Sequence, residues 1–270
     1  MKISAIIQAR TKSTRLPGKV FKELPENSGV TCLEHVIRRL KRCRKLDEII
    51  VATTMGAEDW KIVDIAKKEN VKYFQGCEKN VLKRFYLAAL ATHVDIIVRV
   101  TSDCPCIDSK IVDRVIESHL KLRKTYIDFT ANNIIPTYPH GLDVEVFDFD
   151  ILERAYIEAK TDFDREHVTP FIRNHPKRFR INNISAPAKL NIPDIRITLD
   201  TEEDYTLLKA IFARLYPFKQ DFDIYDIIKL YEKNDWLHLI NNKSMKKYTL
   251  GRMNEKRSNK KYSIWFTKRI

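Results

Sequence analysis

Short apolar runs alternate with amphipathic stretches through the first hundred residues. Ile3, Ala5, Ile6 and Ile7 form the kind of run found in a strand buried on both faces. A polar, basic segment follows as far as Lys19. Over residues 31–43, Leu33, Val36, Ile37 and Leu40 fall at helical spacing, and Thr31 is placed to cap the helix. DEIIVATT (47–54) predicts a second buried strand. A helix over 59–70 would turn Trp60, Val63, Ile65 and Ala66 largely inward. VKYFQG (71–76) predicts a third strand, residues 80–92 another helix, and DIIVRVTSD (95–103) a fourth strand that ends in polar residues.

Strands separated by helices of this length predict an α/β fold: a three-layer, mostly parallel sheet with helices on both faces. Ligands bind such sheets beyond the carboxyl ends of the strands, so the loops after Ile7, Thr53 and Val100 are expected to share one rim. The second half is less regular. Residues 128–133 and 143–147 predict strands, 150–160 and 164–174 helices, and RITLD (196–200) a final strand. A helix over 201–215 opens at Thr201 with Glu202 and Glu203 in its first turn, and 221–234 reads as helical too.

With 44% hydrophobic and 31% charged residues, the 270-residue chain can bury a substantial core in water. It has no apolar stretch near the roughly 20 residues that span a bilayer. The N-terminal order, a few apolar residues and then cations, is wrong for a secretory signal, so a cytoplasmic location is expected. The five cysteines are odd in number and scattered. Cys104 and Cys106 form a lone C-x-C pair, which favours buried free thiols over a zinc site. The net charge of +13 suggests a polyanion partner until it is divided along the chain. Residues 241–270 carry +9 and the rest only +4, so nucleic acid is not an expected partner of the body.

The densest chemistry lies in Gln8-Ala9-Arg10-Thr11-Lys12-Ser13-Thr14-Arg15-Leu16-Pro17-Gly18-Lys19. Four cations, three hydroxyls and one glycine directly follow the first strand. A loop at that position can surround a triphosphate with cations and backbone N–H groups, although a solvated basic loop has the same composition. Neither G-x-x-x-x-G-K-[ST] nor G-x-G-x-x-G is present.

This opening resembles that of the cytidylyltransferases that make CMP-KDO and CMP-sialic acids, and is closest to their spore-coat-polysaccharide branch. RVTSDCPCID (99–108), HGLDVEVF (140–147), REHVTPFI (165–172) and RITLDTEEDY (196–205) resemble that branch's later blocks in the same order. The resemblance implies a nucleotide-diphospho-sugar transferase (Rossmann-like) fold. It also implies transfer of CMP from CTP to a sugar-like acceptor with release of pyrophosphate, and a homodimer. It places a nucleotidyltransferase domain on residues 1–217; the helical pattern beyond adds an extension (218–240), and the run of cations a basic tail (241–270). Two departures stand out: Ser102 replaces the usual glycine before the metal aspartate, and Asn80 stands where aspartate is frequent.

Asp103 and Asp200 each end a predicted strand, and two carboxylates at one sheet edge can hold Mg2+ against triphosphate oxygens. The resemblance assigns the metal to the same two residues. Helix capping is the competing role for Asp200. The nucleotide-binding candidates are Gln8, Ala9, Arg10, Thr11, Ser13, Arg15, Lys19, Thr53, Arg84, Thr101 and Ser102, with Arg10, Arg15, Lys19 and Asp103 as the catalytic set.

For the acceptor, the candidates are Arg99, His140, Asp143 and Glu145, joined on the resemblance by Arg165, Glu166 and His167. Arg99 would pair equally well with a structural acid such as Asp128, and Asp143 and Glu145 with solvent. No general base is assigned. Two other functions stay open. A glycosyltransferase would use Asp148-Phe149-Asp150 for its metal. A nucleotide- or RNA-binding protein would use the basic tail with Tyr248, Tyr262, Trp265 and Phe266. The enzyme reading expects truncation of 241–270 to leave turnover largely intact.

Overall fold

The computed structural model describes residues 1–247. Its strands are β1 (Ile3–Gln8), β2 (Glu48–Thr54), β3 (Lys72–Gly76), β4 (Ile96–Thr101), β5 (Phe129–Ala131), β6 (Glu145–Asp148) and β7 (Ile181–Asn183). They form one mixed sheet in the order β3-β2-β1-β4-β6-β5-β7. β3, β2, β1 and β4 pair in parallel, β6 pairs antiparallel with β4 and β5, and β5 is parallel to β7. In this sheet only β6 runs against the rest, so the mostly parallel expectation holds. Gln8 lies opposite Thr101 in the β1–β4 register, which sets the loops after these two strands side by side on one rim.

The period of two along β1 separates the core into two layers. Ile3, Ala5 and Ile7 pack with Leu33, Val36 and Ile37 of α1 (Cys32–Leu40), while Ile6 packs on the other face with Phe85 and Ala88 of α3 (Val81–Ala91). α2 is Trp60–Lys68. Thr31 and Glu34 close a capping box at the start of α1, and Asn80, the departure noted above, caps α3 by accepting the Lys83 N–H.

The second half departs further from the sequence pattern. The helix α4 (Ser109–Arg123) was not anticipated, although Ile111, Val112, Val115 and Ile116 bury one helical face and Asp108 caps it. The short β7 was not anticipated either. α5 is Phe149–Glu158. The single helix expected over 164–174 is two, α6 (Asp162–His167) and α7 (Pro170–Arg173), because Val168 takes φ 72° between them and Pro170 opens a new turn.

RITLD is not a sheet strand. All five of its residues are buried, but the Ile197 and Leu199 N–H groups go to the His140 and Asp103 carbonyls instead of a neighbouring strand. Among its residues only Arg196 forms a bridge, to His140. The segment thus crosses the rim rather than extending the sheet. Gly141 permits this crossing: its φ is +112°, and a Cβ there would lie 2.8 Å from the Ile197 carbonyl carbon.

α8 (Glu202–Leu215), α9 (Ile224–Glu232) and α10 (Leu237–Ile240) follow. Ile224, Ile227, Tyr231 and Leu237 join the same apolar layer as Ile3 and Ile7. No helix among the described residues is long and apolar enough to cross a membrane. Cys32, Cys104 and Cys106 are buried free thiols, whereas Cys43 and Cys77 are partly exposed. The reading of the basic tail falls mostly on residues 248–270, outside the described residues.

Candidate active site

Two cavities open on the rim formed by the ends of β1 and β4. One, of about 450 Å³, is walled by the segment after β1: Gln8, Ala9, Arg10, Ser13, Arg15 and Lys19, with Arg84, Ser102 and Glu166 opposite. The other, of about 600 Å³, is lined by Asn133, His140, Asp143, Glu145, Phe163 and Arg173 among others. Arg99, Thr101, Asp103, His167 and Asp200 line both, so the two cavities are lobes of one cleft.

The seam is built from residues far apart in sequence. The Lys19 Nζ donates to Asp103 Oδ2 at 2.5 Å and to Asp200 Oδ1 at 2.8 Å, and Arg15 Nη2 lies 3.0 Å from the same Asp200 oxygen. Asp103 is brought to Asp200 by the rim-crossing segment, because the Asp103 carbonyl accepts the Leu199 N–H and the Thr198 hydroxyl. Burial alone would raise both carboxyl pKa values. Against that burial, the Lys19 ammonium, helped by Thr101 at Asp103 and by Arg15 at Asp200, holds both carboxyls below the usual carboxylate range. Burial likewise opposes the Lys19 charge, yet the two carboxylates raise its pKa.

Asp200 is not the cap of α8. That role belongs to Thr201, whose hydroxyl accepts the Asp204 N–H in a capping box. Asp200 Oδ2 is held by Arg196 Nη2 at 2.9 Å. Arg196 also grips Asp204 through Nε and Nη2 at 3.0 and 2.9 Å, and donates from Nη1 to His140 Nδ1 at 2.7 Å. A guanidinium has no acceptor atom, so His140 Nδ1 is unprotonated and the ring proton sits on Nε2, 3.4 Å from Asp143 Oδ2. Burial pushes the His140 pKa down, in keeping with this neutral tautomer.

In the wider lobe, Glu145 is buried and pairs with Arg99 Nη1 at 2.6 Å and Arg173 Nη1 at 3.5 Å, and it accepts the Thr169 hydroxyl. Arg99 also donates twice to Gln8 Oε1, at 3.2 and 3.0 Å. Glu145 is thus the structural acid Arg99 pairs with; Asp128 instead accepts the Arg180 N–H. In the basic lobe, Arg84 is buried beside Arg10 and donates to the Cys77 carbonyl at 2.6 Å. Burial, with repulsion from Arg10, lowers its pKa to about 10. Arg10 reaches Glu166 at 3.5 Å, which places Glu166 on the basic side of the cleft.

Three candidates line neither lobe. The Thr11 N–H donates to Asp59 Oδ1 and the Thr11 hydroxyl to the Glu58 carbonyl, which pins the loop from behind. Thr53 is fully buried in β2, and Arg165 projects into solvent from α6. Asp148 accepts from His119 and Arg123, and it lies opposite Ile96 at the start of β4, away from the rim, so Asp148-Phe149-Asp150 forms no metal motif there.

Comparison with known proteins agrees with this architecture. The family model for cytidylyltransferase matches residues 4–245. The chain belongs to the cytidylyltransferase family. An uncharacterized protein of Methanocaldococcus jannaschii is 41% identical, over 89% of this chain and 95% of its own. The spore coat polysaccharide biosynthesis protein SpsF of Bacillus subtilis is 33% identical, over 85% and 93%. Among solved structures, a cytidylyltransferase from Leptospira borgpetersenii superposes with a TM-score of 0.81 at 33% identity, covering 88% of this chain and 96% of that one. The sheet and its flanking helices are those of the nucleotide-diphospho-sugar transferase fold.

Sequence reading passed over Asn133, Phe163, Arg173, Asn174 and Thr198 as cleft residues, and Arg196 and Asp204 as supports of Asp200. The signal for the last two lay within RITLDTEEDY, where Arg196 and Asp204 stand four residues to either side of Asp200.

Proposed function

We propose that the protein transfers CMP from CTP to a hydroxyl of a small sugar, sugar acid or related acceptor, releasing pyrophosphate, in surface polysaccharide or glycoconjugate synthesis. The observation that supports this best is the acidic pair Asp103–Asp200 at the seam between a basic lobe and a wider polar one. The basic lobe suits the triphosphate, with Arg10, Arg15, Lys19 and Arg84 set around its phosphates. The wider lobe suits a hydroxylated acceptor, with Arg99, Asn133, His140, Asp143 and Glu145 along its wall.

Asp103 and Asp200 suit Mg2+. Their oxygens converge on one point, where the Lys19 ammonium now sits, and two hard carboxylates leave the ion room for waters and phosphate oxygens. Bound there, the metal would neutralise charge developing on the attacking and departing oxygens. The acceptor hydroxyl attacks the α-phosphorus in line, and the bond from that phosphorus to the bridging oxygen breaks, with its electron pair leaving on pyrophosphate. Lys19 exchanges the carboxylates for phosphate oxygens, and Arg15 moves with it. The hydroxyl proton goes to water or to a nearby carboxylate. The family name and SpsF support the choice of CTP and of a polysaccharide pathway. A homodimer is carried forward from the resemblance, and light scattering tests it.

The test is to supply Mg2+, each of the four triphosphates and a panel of sugars, and to follow pyrophosphate release beside Asp103→Asn and Asp200→Asn. Release with CTP alone, dependent on one acceptor and lost in both variants, is the expected result. Failure to bind any triphosphate would sink this reading.

A further inference from the structure

The buried carboxylate of Asp204, beneath the site, accepts five hydrogen bonds. Arg196 supplies two, from Nε and Nη2, and the backbone N–H groups of Asp200 and Thr201 donate at 3.1 Å each. The fifth comes from outside the motif: Asn241 Nδ2 donates to Asp204 Oδ1 at 2.9 Å and also to the Arg196 carbonyl at 3.0 Å. Both partners only accept, so the amide nitrogen must face them. Asn241 itself is buried. The Leu237 side chain just before it lies in the core, and the Ser244 hydroxyl just after it meets Thr201 Oγ1 at 3.1 Å.

We propose that Asn241 is a positioning residue for Asp200. Its amide fixes the Asp204 carboxylate and the Arg196 backbone together, and through Arg196 it sets the Asp200 oxygen that faces the cleft. Arg196 extends the same support to His140, so one buried cluster orients groups in both lobes. The proposal alters the expectation for the C-terminus. A cut before residue 241 removes this amide along with the basic tail, whereas a cut after residue 247 spares it. This inference rests on the role given to Asp200 under Proposed function.

The test compares the full chain with Asn241→Ala, Asn241→Ser and chains ending at residues 240 and 247, each assayed well below its own melting temperature. Losing one buried donor is expected to lower kcat about tenfold in Asn241→Ala with the KM for CTP nearly unchanged. Asn241→Ser, which keeps one short donor, recovers part of the loss. Mn2+ binding followed by electron paramagnetic resonance weakens in parallel, a change that a general loss of stability would not cause. The chain ending at 247 matches the full chain, and the one ending at 240 behaves like Asn241→Ala or worse. Unchanged kcat and Mn2+ affinity in Asn241→Ala, beside an inactive Asp200→Asn, would overturn the role of Asn241 while leaving the reaction intact. An active Asp200→Asn would remove the reading on which it rests.

Discussion

The two lobes of the cleft share a floor and differ in charge. The lobe after β1 sets Arg10, Lys12, Arg15, Lys19, Arg84 and Arg99 against Asp103, Glu166 and Asp200. The wider lobe has only Arg99 and Arg173 against Asp103, Asp143, Glu145 and Asp200. The first has an excess of cations that a polyanion can neutralise. The second has an excess of acids, pairs both of its arginines with Glu145, and presents amides, hydroxyls and a neutral imidazole. Under the proposed function the contrast assigns one reactant to each lobe: phosphates are drawn to the lobe with the excess of cations, whereas a polyol is held by fixed hydrogen-bond partners. The shared acids would lie where the two meet.

Variants at the shared floor should blur the distinction most. Asp103→Asn or Asp200→Asn leaves Lys19 without one of its two carboxylates and is expected to cost about a thousandfold in kcat. Lys19→Ala, which removes the cation between them, is expected to cost about a hundredfold. Steady-state rates of pyrophosphate release measure both, with each variant's melting temperature as a check on folding.

Single-lobe variants should sharpen the distinction instead. Arg10→Ala is expected to raise the KM for CTP about tenfold and leave the acceptor's KM alone, and Asp143→Asn to do the reverse. Two-substrate kinetics separate these outcomes, and a variant that shifts both constants equally would count against the division.

The basic lobe was legible because one side of it is contiguous. The segment from Gln8 to Lys19, at the end of one buried strand, supplies about half of its wall, so composition and position sufficed. The wider lobe is assembled from 133, 140–145, 163–174 and 198, and no single window of the chain carries its pattern. One of its turns is the break at Val168, a β-branched residue with φ 72° that no periodicity predicts. The crossing at 196–200 was misread for a related reason. A continuously buried run marks a chain packed on both sides, and a strand and a rim-crossing segment share that mark. The sheet itself was easier, since β1 to β4 carry strong apolar runs, while the three-residue β7 is partly exposed and carries none.

A remote residue offers the smallest expected effect on catalysis. His35 lies on α1 against Phe212 and Tyr216, and its Nε2–H donates to the Leu24 carbonyl. Burial pushes its pKa down to about 4 from an ordinary 6.5. Between those values the unfolded chain binds the proton and the folded chain does not. Stability therefore rises with pH across that window and is lost as pH falls through it, by about 3 kcal/mol in all. Denaturant midpoints from pH 7 to 4 should show this slope, and His35→Gln should flatten it without changing either KM above pH 7.

A crystal structure with CTP and Mg2+ decides whether the basic lobe takes the triphosphate and the shared acids meet its α-phosphate. The predicted result has the phosphates among Arg10, Arg15 and Arg84, the metal between Asp103 and Asp200, and Lys19 Nζ moved from the carboxylates onto phosphate oxygens. Nucleotide in the wider lobe, or Lys19 still bridging the two acids beside bound CTP, would contradict it.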